Sequence, residues 1–224
     1  MYILHIDSTT KVCSVAISKE DKLLNLTEVN SDQLVHSEKL HLFIEECLMK
    51  ANLKLSDLKA INVSKGPGSY TGLRVGVSAA KGLAYGLSIP LISVDTLEAL
   101  ADSVLGSLAN DAVLIPMIDA RRMEVFCSVY QNGKCLSPVS AEVLDEYSFS
   151  AFNDKQVFFF GDGAAKAIET LNPNFTFIDQ KKTSASNLIR LCWLKYKASD
   201  FEDVAYFEPF YLKDFVAGKP KKML

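Results

Sequence analysis

Two aspartates stand at points where an apolar, strand-like segment gives way to a polar turn. Asp7 ends the segment that begins at Tyr2, and Asp119 ends a similar segment that begins at Val113. Carboxylates from two such turns can face each other across a cleft and hold Mg²⁺ together with a nucleotide phosphate. The hydroxyls next to the first carboxylate would then donate hydrogen bonds to the phosphate. The candidates in this turn are Asp7, Ser8, Thr9 and Thr10.

The same residues also suit ordinary turn chemistry. An aspartate at the end of a strand accepts hydrogen bonds from nearby backbone amides, which stabilises a turn without any ligand. Arg121 and Arg122 follow Asp119 closely and could neutralise its carboxylate. A weak or vestigial ATP or ADP site and a pair of structural turns therefore both stay open at this point.

Two glycine-rich turns come directly after predicted strands and could bring the backbone close to a ligand. In one of them, Gly161 and Gly163 flank an aspartate and join the candidate nucleotide site, although an ordinary strand-to-helix turn is the favoured interpretation. The other turn, GPGSYTG from Gly66, fits neither G-x-G-x-x-G nor the P-loop. Ser69 or Thr71 in this turn can cap the next helix.

Other reactive side chains form no catalytic set. His36 and His41 are five residues apart on a predicted helix, which is a poor spacing for a metal pair, and His5 alternates within a strand. The second half has no histidine to activate Cys127 or Ser128. The five cysteines never form C-x-x-C and are typical of buried thiols in a reducing cytoplasm. These residues do not require a catalytic role.

The elements that position these residues repeat along the chain. The first half is predicted as βββαβα with a further strand, from β-rich runs joined by polar turns and from helical spacing of apolar residues. The predicted elements are the strands Tyr2–Asp7, Val12–Ser18 and Leu23–Val29, a helix from Leu40 to Ala51, the strand Leu58–Ser64, a small-sided helix, and the strand Ile89–Val94.

The second half restarts the same order. IDSTTKVCSV around Asp7 and IDARRMEVFCSV around Asp119 share a strand end, a polar turn and a returning Cys-Ser-Val, which indicates internal duplication. The predicted elements are the strands Val113–Asp119, Glu124–Tyr130 and Cys135–Val143, a strand Val157–Phe160, a helix Ala164–Leu171, a short strand Phe175–Ile178 and a helix Ser184–Tyr196. Residues 1–95 form one predicted lobe, and 96–224, with a connecting helix Asp95–Asn110 and a C-terminal tail, form the other.

The small-sided helix after Thr71 has two faces that could be buried. Glycine inside a helix costs about 0.5–1 kcal/mol relative to alanine, and this helix carries Gly72, Gly76, Gly82 and Gly86. A second backbone that approaches closely would compensate this cost. The second face could meet a neighbouring helix of the same lobe or another protein chain, and the spacing does not decide between them.

Composition limits the partner classes. Apolar residues make up 49% of the 224 residues, which is enough for a packed core. The net charge of −3 gives no general basic field for nucleic acid. The start MYILHID lacks the basic region of a signal peptide, and Gly82–Val94 is shorter than the roughly 20 residues of a membrane span. A cytoplasmic protein without a membrane partner is expected.

Four segments of the chain together resemble the TsaB (YeaZ) family. They are YILHIDSTTKVCSVAI from Tyr2, KGPGSYTGLRVGVSAAKGLAYGLSIPLISVDTLEALA from Lys65, IDARRMEVF from Ile118 and EPFYLK from Glu208. Proteins of this family are bacterial partners of TsaD in making N6-threonylcarbamoyladenosine at position 37 of tRNAs that read codons beginning with A. The resemblance spans nearly the whole chain.

The resemblance implies an α/β fold of the duplicated actin, Hsp70 and sugar-kinase (ASKHA) type, with two βββαβα-type lobes. It also implies that the protein is not itself the transferase. The TsaD branch carries H-x-x-x-H, whose histidines bind the catalytic metal, whereas the same frame here has Thr96 and Leu100. Neither side chain is a ligand of the required kind, so no metal site and no required cofactor are expected.

The resemblance further implies pairing of N-terminal lobes through two helices, with TsaD or, when TsaD is missing, with a second copy. TsaE would join the larger complex, and tRNA would be met only through that complex. Helical periodicity places the following residues in the predicted interface: Leu40, Phe43, Cys47, Gly72, Gly76, Ala79, Ala80 and Leu83. A bulky residue at Gly76 is expected to abolish the complex while the monomer stays folded.

Two functions therefore compete. The first is a non-catalytic dimerisation and activating subunit of the threonylcarbamoyltransferase complex, which the two-faced helix and the missing histidines favour. The alternative is a nucleotide-binding ATPase or phosphotransferase of the same fold, which would depend on Asp7, Asp119 and Gly161–Gly163. Binding of ATP with Mg²⁺ that is lost in Asp7→Ala would favour the alternative.

Overall fold

Two five-stranded sheets with the same strand order form the framework. A computed structural model describes residues 1–31, 36–109 and 111–213 of the chain. The predicted C-terminal tail beyond residue 213 and Asn110 of the predicted connecting helix lie outside the described residues. In each sheet three antiparallel strands are followed by two parallel ones. The predicted duplication and the α/β fold class are confirmed.

The first sheet has the order β3-β2-β1-β4-β5. Its strands are β1 (Tyr2–Asp7), β2 (Val12–Lys19), β3 (Lys22–Asn30), β4 (Leu58–Ser64) and β5 (Leu91–Val94). These strands match the predicted ones closely, except that β5 begins after Pro90 and not at Ile89. Proline has no backbone N–H for a ladder, so Pro90 contributes only its carbonyl, to the amide of Ile61.

Two long helices cover one face of this sheet. They are α1 (His36–Ala51) and α2 (Tyr70–Leu87), and the side chain of Ser69 caps α2 by accepting from the amide of Gly72. Alternate strand residues such as Leu4, Ile6 and Val63 point toward the two helices and form one core with them. Ile3 and Ala60 point to the other face.

The second sheet repeats the order as β8-β7-β6-β9-β10. Its strands are β6 (Val113–Asp119), β7 (Glu124–Gln131), β8 (Lys134–Val143), β9 (Val157–Phe160) and β10 (Thr176–Ile178). Asn132 and Gly133 both have positive φ in the turn between β7 and β8, as the sequence predicts for this hairpin.

Helices of the second half are shorter than predicted. The predicted helix Ala164–Leu171 is only a single 3₁₀ turn, Ala165–Ala167, and Pro173 prevents the segment from continuing as a helix. The predicted helix Ser184–Tyr196 starts as a 3₁₀ turn, Ala185–Leu188, and continues as α4 (Ile189–Lys197). The connecting helix is only α3 (Thr96–Asp102), capped by Asp95.

The C-terminal part of the chain returns to the first sheet. Leu188 and Cys192, at the start of α4, pack against Ile3 and Ile92, while Leu100 of α3 packs against the second sheet. Residues 201–213, called here the C-terminal strap, then cross the first sheet and α2. The amide of Glu202 donates to the carbonyl of Leu91, and the Lys81 ammonium donates to the carbonyl of Phe207 at 2.7 Å. The predicted boundary at residue 95 stays a prediction.

No helix within the described ranges is both long enough and apolar enough to cross a lipid bilayer.

Candidate functional site: the cleft between the sheets and the outer face of α2

An open cleft lies where the carboxyl ends of β1 and β6 approach each other. Its volume is about 490 Å³, within the usual range of about 300–1,000 Å³ for small-molecule sites. Thr9 and Thr10 line it from the first sheet, and Asp119 and Asp162 line it from the second. The strap closes one side. The structure therefore brings part of the predicted nucleotide site together.

Asp7 does not line this cleft. Its side chain is 2% exposed, and its Oδ1 accepts hydrogen bonds from the amide and the hydroxyl of Thr9, at 3.0 and 2.7 Å. Burial raises the pKa of the Asp7 carboxyl, while the two hydrogen bonds from Thr9 oppose that rise. This is the geometry of a turn that stabilises itself.

The turn after Asp7 is filled by the chain's own helix. A Cβ built on Gly72 would lie 2.0 Å from the carbonyl oxygen of Ser8, and one on Gly68 would lie 2.3 Å from that of Thr9. The hydroxyl of Ser8 donates to the carbonyl of Gly72, and the amide of Ser69 donates to the carbonyl of Thr9. Backbone of α2 occupies the space beside Ser8 and Thr9.

Asp119 is held in a different way. Its carboxylate is about half exposed and pairs with the ammonium of Lys166 at 2.5 Å, and its Oδ1 also accepts the amide of Arg121 at 3.0 Å. The Lys166 ammonium further donates to the carbonyls of Arg122 and Glu124, at 2.9 and 2.5 Å. The cation that neutralises Asp119 is thus Lys166, whereas the sequence had suggested Arg121 or Arg122.

The glycines of the second turn approach the chain's own strand. A Cβ on Gly161 would lie 2.1 Å from the carbonyl oxygen of Met117, and one on Gly163 would lie 2.7 Å from the carbonyl carbon of Ile118. Gly161 also has φ +110°, a conformation that other residues rarely adopt. Close packing of the turn on β6 accounts for both glycines.

Asp162, between these glycines, lines the cleft and has a carboxyl group whose pKa is strongly raised. Its side chain is exposed in the open cleft, yet desolvation by the surrounding cleft atoms raises its pKa to about 6. The amide of Asp119 donates to its Oδ1 at 3.2 Å and opposes the shift, while the Asp119 charge adds to it. The sequence pattern alone assigned no role to Asp162.

His36 is a second cleft residue whose position the sequence pattern did not reveal. Its side chain is 3% exposed, lines the cleft, and has no hydrogen-bond partner for either ring nitrogen among the described residues. A buried polar group without a partner is costly and calls for an explanation. Next to it in the cleft, the rings of Tyr70 and Tyr211 lie 4.8 Å apart. Only the fold reveals this grouping, because Tyr211 comes from the strap.

Thr96 and Leu100 are the two positions at which the resemblance places metal-binding histidines in the TsaD branch. Both are 1% exposed, and the hydroxyl of Thr96 is hydrogen-bonded to that of Ser64 at 2.8 Å. Leu100 packs against Gly161. Within the described ranges, no group of three or more histidine, cysteine, aspartate or glutamate side chains could hold a metal ion.

The predicted interface residues divide into two sets. Five lie inside the first lobe itself: Leu40, Cys47, Gly72, Gly76 and Ala80. The other three are partly exposed on α1 and α2: Phe43, Ala79 and Leu83. No partner chain is present, so partner contact by any of them stays a prediction.

The prediction that a bulky residue at Gly76 leaves the monomer folded requires a correction. A Cβ at Gly76 would lie 2.2 Å from the hydroxyl oxygen of Ser8, so a bulky residue there would disturb the monomer. Gly82 and Gly86, in contrast, have no atom within 4 Å of a built Cβ. The helix therefore packs its N-terminal glycines on its own lobe and leaves its C-terminal glycines open. Equal helical spacing could not separate these two pairs.

Comparisons with known proteins agree with this fold. A family model described as TsaD, tRNA N6-adenosine threonylcarbamoyltransferase, matches residues 30–217. The tRNA threonylcarbamoyladenosine biosynthesis protein TsaB of Haemophilus influenzae is 28% identical over 228 residues, covering 97% of this chain and 95% of that protein. TsaB of Escherichia coli is 34% identical over 134 residues, covering 60% of this chain and 57% of that protein.

A solved structure gives the same result at the level of the fold. YeaZ from Pseudomonas aeruginosa superposes with a TM-score of 0.78 at 25% identity, covering 94% of this chain and 99% of that one. Together with the repeated sheet, this defines a duplicated α/β protein of the actin, Hsp70 and sugar-kinase type. The chain belongs to the TsaD family, and the resemblance to its TsaB (YeaZ) members is confirmed.

Proposed function

We propose that the protein is a non-catalytic subunit in the biosynthesis of tRNA N6-threonylcarbamoyladenosine and that it pairs with a TsaD-type subunit through α1 and α2. The relatives TsaB of H. influenzae and E. coli carry the name of this pathway. The observation that carries the pairing is the open half of α2. Gly82 and Gly86 lie on its exposed side with free space above them.

The surroundings of these glycines suit a helix from another chain. Ala79 and Leu83 are partly exposed on α2, and Phe43 is partly exposed on the adjacent α1. Leu42 and Met49 of α1 are 59% and 71% exposed. Small residues allow two backbones to approach closely, and apolar neighbours supply buried area. A partner helix across this face would offset the cost of glycine in α2.

The proposed absence of catalysis has its own support. The Asp7 carboxylate accepts hydrogen bonds from Thr9, and the Asp119 carboxylate forms a salt bridge with Lys166. The Thr96 hydroxyl is hydrogen-bonded to the Ser64 hydroxyl. None of these groups is poised as a nucleophile beside a base. The chemistry would then belong to the TsaD-type subunit, with TsaE in the larger complex and tRNA bound through it, in the cytoplasm. Without TsaD, two copies would pair through the same face.

The interface is tested with Gly82→Leu. Nothing lies within 4 Å of a Cβ at this position, so the monomer should keep its fold, while the added side chain should block close approach of a partner helix. Light scattering with and without the TsaD subunit should show at least about a tenfold weaker complex, because a lost close contact is worth about 1.4 kcal/mol or more.

Two variants control this experiment. Gly82→Ala adds one methyl group and should retain most of the binding. Lys197→Leu adds an exposed leucine on α4, which packs on the opposite face of the sheet, and should leave binding unchanged. Unchanged binding of Gly82→Leu to TsaD would remove α2 from the interface.

A second candidate, nucleotide binding in the cleft, has one observation in its favour. The imidazole of His36, which has no hydrogen-bond partner among the described residues, faces a space large enough for a nucleotide that Tyr70 and Tyr211 also line. Calorimetry with ATP and Mg²⁺ decides between the two functions. Tight binding that is lost in His36→Phe would favour an ATPase or phosphotransferase of this fold, and absence of binding would favour the scaffold. Asp7→Ala no longer separates the two, because Asp7 lies outside the cleft and stabilises its own turn.

A further inference from the structure

We infer that the turn Ala120–Met123, with its exposed arginine pair, contacts the phosphate backbone of RNA directly. This inference rests on the proposed function, because it concerns the tRNA that the complex would hold. It goes beyond that function in giving this chain its own RNA contact. The juxtaposition that carries it is Arg121, which lines the cleft together with Lys11, and the exposed Arg122 that follows it in the same turn.

The two arginines have no side-chain partner among the described residues. Both side chains are exposed, and neither guanidinium group makes a hydrogen bond or an ion pair within the described ranges. The ordering of their turn comes from other groups: the Arg121 amide donates to Asp119, and Lys166 donates to the Arg122 carbonyl. The backbone is thus fixed while the guanidinium groups stay available.

The backbone conformation of this turn is unusual. Arg121 and Arg122 are consecutive and have φ of 72° and 49°, the left-handed region that favours glycine. A non-glycine residue in this region costs about 1–2 kcal/mol, and two in a row compound the cost. Glycine would serve the turn better, so the turn itself does not explain why arginine stands at both positions.

Local charge favours a phosphate ligand over a carboxylate-rich protein surface. The whole chain has a net charge of −3, yet Lys11 and Arg121 both line this cleft, and the exposed Arg122 follows Arg121 directly. The nearby acidic groups Asp119 and Glu124 are already paired, with Lys166 and Lys213. The third carboxylate of this region, Asp162, lies in the cleft wall, where its Oδ1 accepts the Asp119 amide.

Guanidinium groups pair with phosphate oxygens in a bidentate manner, which makes arginine the usual residue for such contacts. A free nucleotide offers the same phosphate chemistry. The chain of an RNA is the better fit, because Arg121 lines the cleft and Arg122 is exposed just outside its lining, so that the pair can contact successive phosphates of a strand that passes over the turn.

The test uses the full protein assembled with TsaD and TsaE and an unmodified tRNA transcript that reads a codon beginning with A. Arg121→Glu combined with Arg122→Glu should weaken tRNA binding by about a hundredfold, at about tenfold for each lost charged contact. The slope of log Kd against the logarithm of the salt concentration should become shallower by about one for each phosphate contact that is lost. Arg121→Lys with Arg122→Lys keeps the charge, and its affinity for tRNA should lie between those of the unaltered protein and the double glutamate variant.

The matched control is Lys22→Glu with Lys134→Glu, which makes the same change in net charge. Both lysines are exposed at hairpins, at the ends of the sheets opposite to the cleft. This control should stay within about twofold of the unaltered protein, because exposed charges at that distance are screened. If the glutamate pair fails to fold, Arg121→Gly with Arg122→Gly removes the charges in a conformation that suits glycine.

The outcomes separate the two proposals. Failure of the unaltered subunits to assemble in light scattering contradicts the proposed function. Normal assembly with equal tRNA affinity in the arginine variants and the lysine control overturns the RNA contact. ATP binding that depends on Arg121 and Arg122, with tRNA affinity unchanged, also overturns it and assigns the arginines to a free nucleotide.

Discussion

The turns after β1 and β6 are both stabilised by a strand-end aspartate, but different residues neutralise or bind that aspartate. Each strand ends in an aspartate whose Oδ1 accepts the amide two residues further on, from Thr9 in one turn and Arg121 in the other. Asp7 is buried, and its carboxylate accepts a further hydrogen bond from the hydroxyl of Thr9 in the same turn. Asp119 is exposed and depends on Lys166, which lies 47 residues away in the chain.

The glycine turns beside these strand ends lead into different elements. Gly66 and Gly161 have φ of +114° and +110°, so both turns start from the same backbone conformation. The first leads into the 18 residues of α2, and the second into one 3₁₀ turn. One duplicated framework therefore carries a long helix with an open outer face on one side and a short, ion-paired turn on the other.

The largest expected effect comes from Gly72→Ala. Its Cβ would lie 2.0 Å from the carbonyl oxygen of Ser8, which cannot move without displacing the end of β1. We expect the free energy of unfolding to fall by about 3 kcal/mol, the upper end for overpacking of a core. Chemical denaturation measures this change.

Gly82→Ala is the matched control on the same helix. Nothing lies within 4 Å of its Cβ, so alanine should raise stability by about 0.5–1 kcal/mol through its better helix propensity. Equal effects of the two substitutions would contradict the division of α2 into a packed half and an open half.

The second prediction concerns His5, two residues before the aspartate that ends β1. The equivalent position of β6 is occupied by Met117. His5 is fully buried, with Asn62 at 2.9 Å from Nδ1 and the Ser18 hydroxyl at 2.8 Å from Nε2. Burial lowers the pKa of His5 to about 3. The unfolded chain therefore binds a proton that the folded chain rejects, and stability falls as pH drops below about 6.5.

Between pH 7 and pH 5 this group alone should reduce the free energy of unfolding by about 2 kcal/mol. Denaturation at the two pH values should show that difference reduced in His5→Gln and retained in His41→Gln, since His41 is exposed. The same pH dependence in all three proteins would show that His5 does not resist protonation.

The third prediction removes the long-range support of the second turn. Lys166→Met leaves the Asp119 carboxylate and the carbonyls of Arg122 and Glu124 without their shared donor. We expect a loss of about 1.5 kcal/mol in the free energy of unfolding. Combination with Asp119→Asn should cost less than the sum of the two single changes, because they remove one interaction. Strict additivity would show that the pair contributes nothing.

The smallest effect is expected at Asp162, the central residue of the second glycine turn. The equivalent position of the first glycine turn is Pro67. Because the folded state raises the pKa of Asp162 to about 6, its stability contribution falls as pH rises from about 3.8 through 6. Because the side chain is exposed, solvent screening leaves only a small part of this contribution, and Asp162→Asn should raise Tm by about 1–3 °C at pH 7, with no gain at pH 4. A gain of equal size at both pH values would assign the effect to something other than ionisation.

Much of the fold could be predicted from local pattern. Runs of β-favouring and apolar residues predicted β1, β4 and β6 with their observed ends, and Ser69 was one of two predicted caps for α2. The helices after β9 were predicted too long, because spacing of apolar residues does not show where a helix has room to continue. The candidate cleft was only partly predicted, since Tyr211 and Lys166 reach it from distant segments.

The sequence by itself determined the duplication, the succession of strands along each half and the family, because these depend on local residue patterns and on motifs that can be recognised in the sequence alone. Only the tertiary structure decided which glycines of α2 are packed and which are open. Helical spacing repeats every few residues and treats Gly72 and Gly82 alike, whereas contact with Ser8 depends on where β1 ends in space. The same reason explains why Lys166, and not an adjacent arginine, neutralises Asp119.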